Sequence, residues 1–271
     1  VPLMDCGLQS FYMSKFVDTL NVAFDMQLPA TLVLECGTAR AIATRLVGSG
    51  CLLAPANHHV AATQAVLRSG VGRWSGAPAV SQLMPLTSVG GDAILEVPAL
   101  RWSMPDTHPA VRHGGFVSGA HCFDHAMFSV SPAEARAMDP QQRLLLEAAY
   151  EATNGAGVWR SELLGHDVGI FVGLMNTDFA SVAGSASVYA ATGTQVSIAS
   201  GRLAFALGTQ GPCASIDTAC SSALVALDAA ALSLRTCDAA LAAAANLLLQ
   251  PFVSLLFARA GMLSADGRCK T

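Results

Sequence analysis

The stretch from residue 66 to 271 predicts an α/β fold, on three observations. Helix and strand signals alternate along it, the mark of layered α/β architecture. Val168–Gly173 is an unbroken apolar run of the length and kind carried by a strand covered on both faces. Ala214–Thr218 then reads as a second strand, passing directly into a helical run at Ser221–Leu234.

The elements ahead of that stretch are helical. Between Ser10 and Phe24 the apolar residues Met13, Phe16, Val17, Leu20 and Phe24 recur at three and four, which gives an amphipathic helix. Pro29 breaks the pattern, and a shorter helical run follows at Thr38–Leu46, closed by Gly48-Ser49-Gly50. From 48 to 65 the residues are small and apolar without a period, as in a linker. The expected organisation is therefore a helical segment over 1–47, a linker over 48–65 and the α/β domain over 66–271.

Within the domain, Asp139-Pro140-Gln141-Gln142 announces a helix: an N-cap, proline in the first turn and Gln at the capping-box position. It should run past Tyr150 and stop near Asn154-Gly155. Ala239–Ala258 has about the ~20 residues that a membrane span needs. Asn246, Gln250 and Pro251 interrupt it, and alanines fill its first half. It reads as a buried strand and connection, and no membrane span is expected.

Composition narrows the function. Hydrophobic residues make up 52% and charged residues 13%, where an average domain carries about 25% charged residues. Much of this chain must be deeply buried or meet a large partner. A net charge of −4 gives no electrostatic reason to expect nucleic acid. The eight cysteines form no C-x-x-C pair, which favours reduced thiols in an intracellular, reducing compartment. Val1 falls inside an apolar–polar pattern, so the native start is expected upstream. His121-x-x-x-His125 with Cys122 completes no four-ligand spacing, and no metal is expected.

The candidate chemistry lies at Asp217-Thr218-Ala219-Cys220-Ser221-Ser222, where strand turns into helix. Unpaired N–H groups and the helix dipole favour negative charge at such a junction, suiting a nucleophilic thiol and the oxyanion formed when a thioester is attacked. A buried structural cysteine is the competing reading. Ser10 poses a similar choice: a hydroxyl at a helix start is either an N-cap or an attachment point for a phosphate-linked group.

Asp-Thr-Ala-Cys-Ser-Ser resembles the active-site motif of the β-ketoacyl synthases of modular type I polyketide synthases. Other pieces agree in order: Phe123-Asp124, Ser131–Ala135, Met138–Glu147, Gly201-Arg202-Leu203, Gly208, Gly211-Pro212, Ser215, Gly261–Ser264 and Asp266–Lys270. The resemblance implies a thiolase-like fold layered α/β/α/β/α and a homodimer. It implies that Cys220 takes an acyl group from a carrier thioester, onto which a malonyl-type extender is decarboxylated and condensed. The implied partners are acyl-carrier domains bearing acyl and malonyl thioesters. The family's opening strand is only dimly echoed at Val66–Trp74 with Gly76.

Two further implications concern the ends. The family's His-Gly-Thr-Gly-Thr and Asn-x-Gly-His segments do not occur in the 271 residues, so acylation without condensation is the expectation, and a non-catalytic fragment serving docking or dimerisation is the alternative. The apolar surface of such a part-domain should face what it lacks. Residues 1–47 resemble the back part of an acyl-carrier domain, which would make Ser10 the attachment site of 4'-phosphopantetheine. Gln9 and Phe11 stand where the carrier motif has Asp and usually Leu.

Overall fold

The computed structural model describes residues 17–22, 28, 29, 32, 36, 42, 65–99, 101, 102, 111–175, 178–183 and 187–269. The chain divides into two compact units, Val1–Gln64 and Ala65–Thr271. In the first, residues 17–22 are helical, as the apolar period predicts. Val17, Leu32 and Ile42 are buried together with Leu20, Leu28 and Cys36 against them. The Asn21 side chain donates to Leu28 O at 3.3 Å and accepts from Leu28 N at 2.6 Å, tying helix to turn. Ser10, the rest of both expected helices and the expected linker up to residue 64 lie outside the described residues.

The second unit is built on a three-stranded parallel sheet. Its strands are β3 (Val168–Gly173), β4 (Cys213–Ile216) and β5 (Ala239–Ala244), in the order β4-β3-β5. A small antiparallel pair, β1 (Leu95–Glu96) with β2 (His113–Gly114), stands apart from it. The helices are α1 (Val80–Ser88), α2 (Pro132–Ala137), α3 (Pro140–Gly155), α4 (Arg160–Leu163), α5 (Phe179–Val182), α6 (Ala190–Gly193), α7 (Ile198–Leu207), α8 (Ser222–Ser233) and α9 (Phe252–Arg259).

β3 occupies the centre because both of its faces are apolar. Val168, Ile170 and Val172 pack among Leu145, Leu146 and Ala149 of α3 and Leu203 and Leu207 of α7. Phe171 points to the opposite face, against Ala226 and Ala230 of α8. Side-chain alternation thus lays one strand between two helical layers, and each large apolar side chain fully buried this way contributes about 1.5–3 kcal/mol. The described residues show an α/β/α sandwich, three layers of the five that the resemblance implies.

α3 starts as its sequence predicts: the Asp139 carboxylate caps it by accepting from Gln141 N at 2.7 Å, and Pro140 opens the first turn. Three expectations are revised. Ala239–Ala258 is a strand only to Ala244, lies at the sheet edge and is partly exposed rather than deep in a core; α9 follows it after Pro251. Residues 65–73 form no strand, and the only pairing nearby is an isolated bridge between Trp74 and Ala77. The expected helix at Ser221 begins one residue later, behind a tight turn. No described helix is long and apolar enough to cross a membrane.

Candidate functional site

β4 ends at Ile216, and the chain winds through a 3₁₀ turn at Ala219–Ser221 before α8 starts at Ser222. Short polar side chains build this turn by competing for the backbone. Asp217 Oδ1 accepts from Ala219 N at 3.0 Å. Ser222 Oγ accepts from Thr218 N at 2.9 Å and donates to Ala219 O at 2.7 Å. Ser221 Oγ donates to Thr218 O at 2.8 Å. The run of Asp, Thr and Ser around Cys220 therefore has a local structural cause as well as a chemical reading.

Ala219 pays for the turn with a left-handed backbone, φ 55°, a conformation that costs a non-glycine residue about 1–2 kcal/mol. The kink lifts the next residue, Cys220, into the open, where it is exposed. The Cys220 N–H has no hydrogen-bond partner among the described residues. A free N–H beside a thiol at a helix start is the donor that an oxyanion needs.

Gly173, the last residue of β3, lies directly beneath. A Cβ there would come within 2.7 Å of Ser222 C and O and 2.8 Å of Ala223 N. Only glycine lets the strand end pass so close to the first peptide of α8. The turn is thus seated on the central strand.

Cys220 opens on a cleft of about 920 Å³, whose walls include Gly173, Met175, Ala223, Leu227 and Ala244. β3 ends at this cleft, β4 leads into it and β5 lines it along nearly its whole length, so Cys220 lies at the carboxyl ends of the parallel strands, where open α/β sheets bind ligands. The lining is largely Ala, Leu and Gly, suited to an aliphatic chain. Of the described cysteines only Cys220 reaches it; Cys122, Cys213 and Cys269 are exposed elsewhere and Cys237 is buried.

The other candidates fall apart from this point. Ser10 is outside the described residues. His125 Nδ1 lies 2.9 Å from Val130 O, a local backbone contact. No group of three or more His, Cys, Asp or Glu suited to a metal occurs among the described residues.

A buried polar network at the start of α3 lies outside the candidate sites that the sequence predicts. Asp139, Gln141, Gln142 and Asp178 are all buried. Burial pushes the Asp139 carboxyl above its usual range, opposed by the Gln141 backbone and side-chain donors. Burial likewise pushes the Arg143 guanidinium down. Gln142 Nε2 donates to the carbonyls of Thr192, Gly193 and Gln195, and its Oε1 accepts from Arg202 Nε at 2.9 Å. Arg202 is also paired with Glu134 at 2.6 Å. The motif Asp-Pro-Gln-Gln, with two amides following the cap, carried the signal for this network.

A parallel sheet covered on both faces, with a cysteine on the turn from strand to helix, is the thiolase-like α/β arrangement of a ketosynthase domain. The chain belongs to the β-ketoacyl synthase family: residues 68–271 match the family's N-terminal domain. It is 40% identical over 259 residues to the spectinabilin polyketide synthase system protein NorA' of Streptomyces orinoci, covering 90% of this chain. It is 36% identical over 290 residues to polyketide synthase GfsA of Streptomyces halstedii, covering 98% of this chain. The chain spans only 7% and 4% of those relatives' lengths. Among solved structures it resembles the ketosynthase from module 6 of the bacillaene synthase of Bacillus subtilis 168, with TM-score 0.68 and 30% identity, over 75% of this chain and 36% of that one.

Proposed function

We propose that Cys220 is the acyl-accepting nucleophile of a polyketide-synthase ketosynthase. The observation that carries this reading is an exposed thiol on a kinked strand–helix turn, its N–H without a partner among the described residues, opening on an apolar cleft. The sulfur attacks the carbonyl of an acyl thioester borne by a carrier. The new Sγ–C bond replaces the carrier's S–C bond, and the proton from the Cys220 thiol ends on the released carrier thiol. The Cys220 N–H is a donor to the oxyanion of the tetrahedral intermediate.

Decarboxylation and condensation with a malonyl thioester would follow in a chain that also has the family's two histidine motifs. These 271 residues contain neither, so acylation is the step proposed for them. Carrier domains are the partners, and a homodimer the assembly. For residues 1–47 we propose a carrier-derived segment with Ser10 as its 4'-phosphopantetheine site, a reading supported by the resemblance of this segment to the back part of a carrier domain, with Ser10 at a predicted helix start.

The test is incubation with an acyl-pantetheine thioester, followed by peptide mapping. One acyl adduct on the Cys220 peptide, abolished in Cys220→Ala, is expected. Equal adducts on Cys122, Cys213 and Cys269 would overturn the assignment. A folded chain that takes no adduct would instead favour docking or dimerisation.

A further inference from the structure

We propose that Gln141 and Asp178 are positioning residues for the cleft at Cys220, through their hold on the segment Ala245–Gln250; the proposal rests on reading that cleft as the acyl site. β5 pairs with β3 up to Ala244, opposite Gly173. Ala245 N then donates to Gly173 O at 3.3 Å, one residue past the paired stretch. β3 itself ends at Gly173, yet the hydrogen bonds keep the two-residue period of a strand. Leu247 N donates to Gln141 Oε1 at 3.1 Å. Leu249 N donates to Asp178 Oδ2 at 3.2 Å, with Gln250 N at 3.4 Å from the same oxygen. Two side chains thus take over the acceptor role of a neighbouring strand.

The consequence reaches the site because Ala244, Ala245, Asn246 and Leu247 line the same cleft as Cys220. The hold is firm for an energetic reason. Gln141 is 2% exposed and Asp178 4%, and a buried polar group deprived of its partner costs about 1–3 kcal/mol, more if charged. Moving this wall would take the Leu247 donor from Gln141 Oε1 and the Leu249 and Gln250 donors from Asp178 Oδ2 at once. Gln141 sits one residue past the proline that opens α3, so the geometry of that helix start is transmitted to the cleft wall. Small displacements of such walls matter, since about 1 Å of misplacement can cost a reaction about a hundredfold.

The experiment needs no acyl transfer, which separates this proposal from the one above. Cys220 in the full chain is alkylated with iodoacetamide and, separately, with a maleimide carrying an octyl chain, while amide hydrogen exchange is followed at Leu247, Leu249 and Gln250. Gln141→Met and Asp178→Ala should each leave the iodoacetamide rate unchanged, slow the octyl reagent severalfold and speed exchange at the released amides about tenfold. Asp178→Asn keeps an oxygen acceptor and should behave as the parent. If Gln141→Met folds with both alkylation rates unchanged, or if Asp178→Asn is as impaired as Asp178→Ala, the positioning role is overturned. A parent chain that takes no acyl group but shows these shifts would overturn the acyl reading alone.

Discussion

At the scale of single residues, the backbone of Ala219 is the point where conformation and chemistry meet. Its φ of 55° is a region that glycine enters freely and alanine does not. Ala219→Gly is therefore expected to stabilise the chain, by about 1 kcal/mol or less once the extra freedom of unfolded glycine is counted. Urea denaturation measures it, and a loss of stability would show that the alanine methyl packs usefully in the turn. Asp139 makes a second residue-level prediction. Its carboxyl titrates higher in the folded chain than when unfolded, because burial penalises the charge. The folded state then holds the proton over a range where the unfolded state has released it, so this group's contribution falls as pH rises through the raised value. Asp139→Asn still offers a capping oxygen to Gln141 N but cannot titrate. Relative to the parent, its stability should improve between about pH 4 and pH 7; thermal melts at both ends check the sign, and a pH-independent difference would refute it.

At the scale of elements, the contact between the end of β3 and the start of α8 sets the site. Gly173→Ala would press a methyl onto the Ser222–Ala223 peptide, backbone that has no rotamer in which to escape. A cost of about 1–3 kcal/mol is expected, the range for overpacking, with a changed rate of Cys220 alkylation because the turn rides on that contact. An unchanged rate alongside full stability would mean that the strand and helix separate freely. This seat was only half legible in the sequence. The six apolar residues of β3 and the cap of α3 announce themselves through local pattern, and Cys220 through its motif. The glycine's close approach depends on residues nearly fifty positions apart, and the Gln141–Leu247 bond on residues 106 apart. No local period carries such pairings. β5 misled for a related reason: an alanine-rich strand looks the same whether it lies at the centre of a sheet or, as here, at its edge.

At the scale of the whole molecule, a low charge content has to be reconciled with what the fold covers. α8 carries one charge, Asp228, and is otherwise built almost wholly of Ala, Leu and Val; a helix that apolar belongs largely in an interior. Its inner stripe, Ala226 and Ala230, is buried against Phe171, but Leu224 is 70% exposed and Leu232 50% exposed. These two side chains lie eight residues apart, about 80° around the helix, with the exposed Asp228 between them. Val225 beside them is also exposed. Exposed apolar surface of this extent, even divided by one carboxylate, drives association. The isolated chain is accordingly expected to self-associate at micromolar concentration and to bind a hydrophobic dye. Leu224→Glu with Leu232→Lys should reduce both, at a cost to folding within about 0.5 kcal/mol because neither side chain is buried. Leu227 is left in place, since it lines the cleft and its loss would confuse assembly with substrate access. Sedimentation velocity of the parent and the double variant decides the matter. A shift toward monomer with Cys220 reactivity retained would place the sticky surface on the outer side of α8, and identical profiles would clear that helix and move attention to Phe205 on α7, which is 87% exposed.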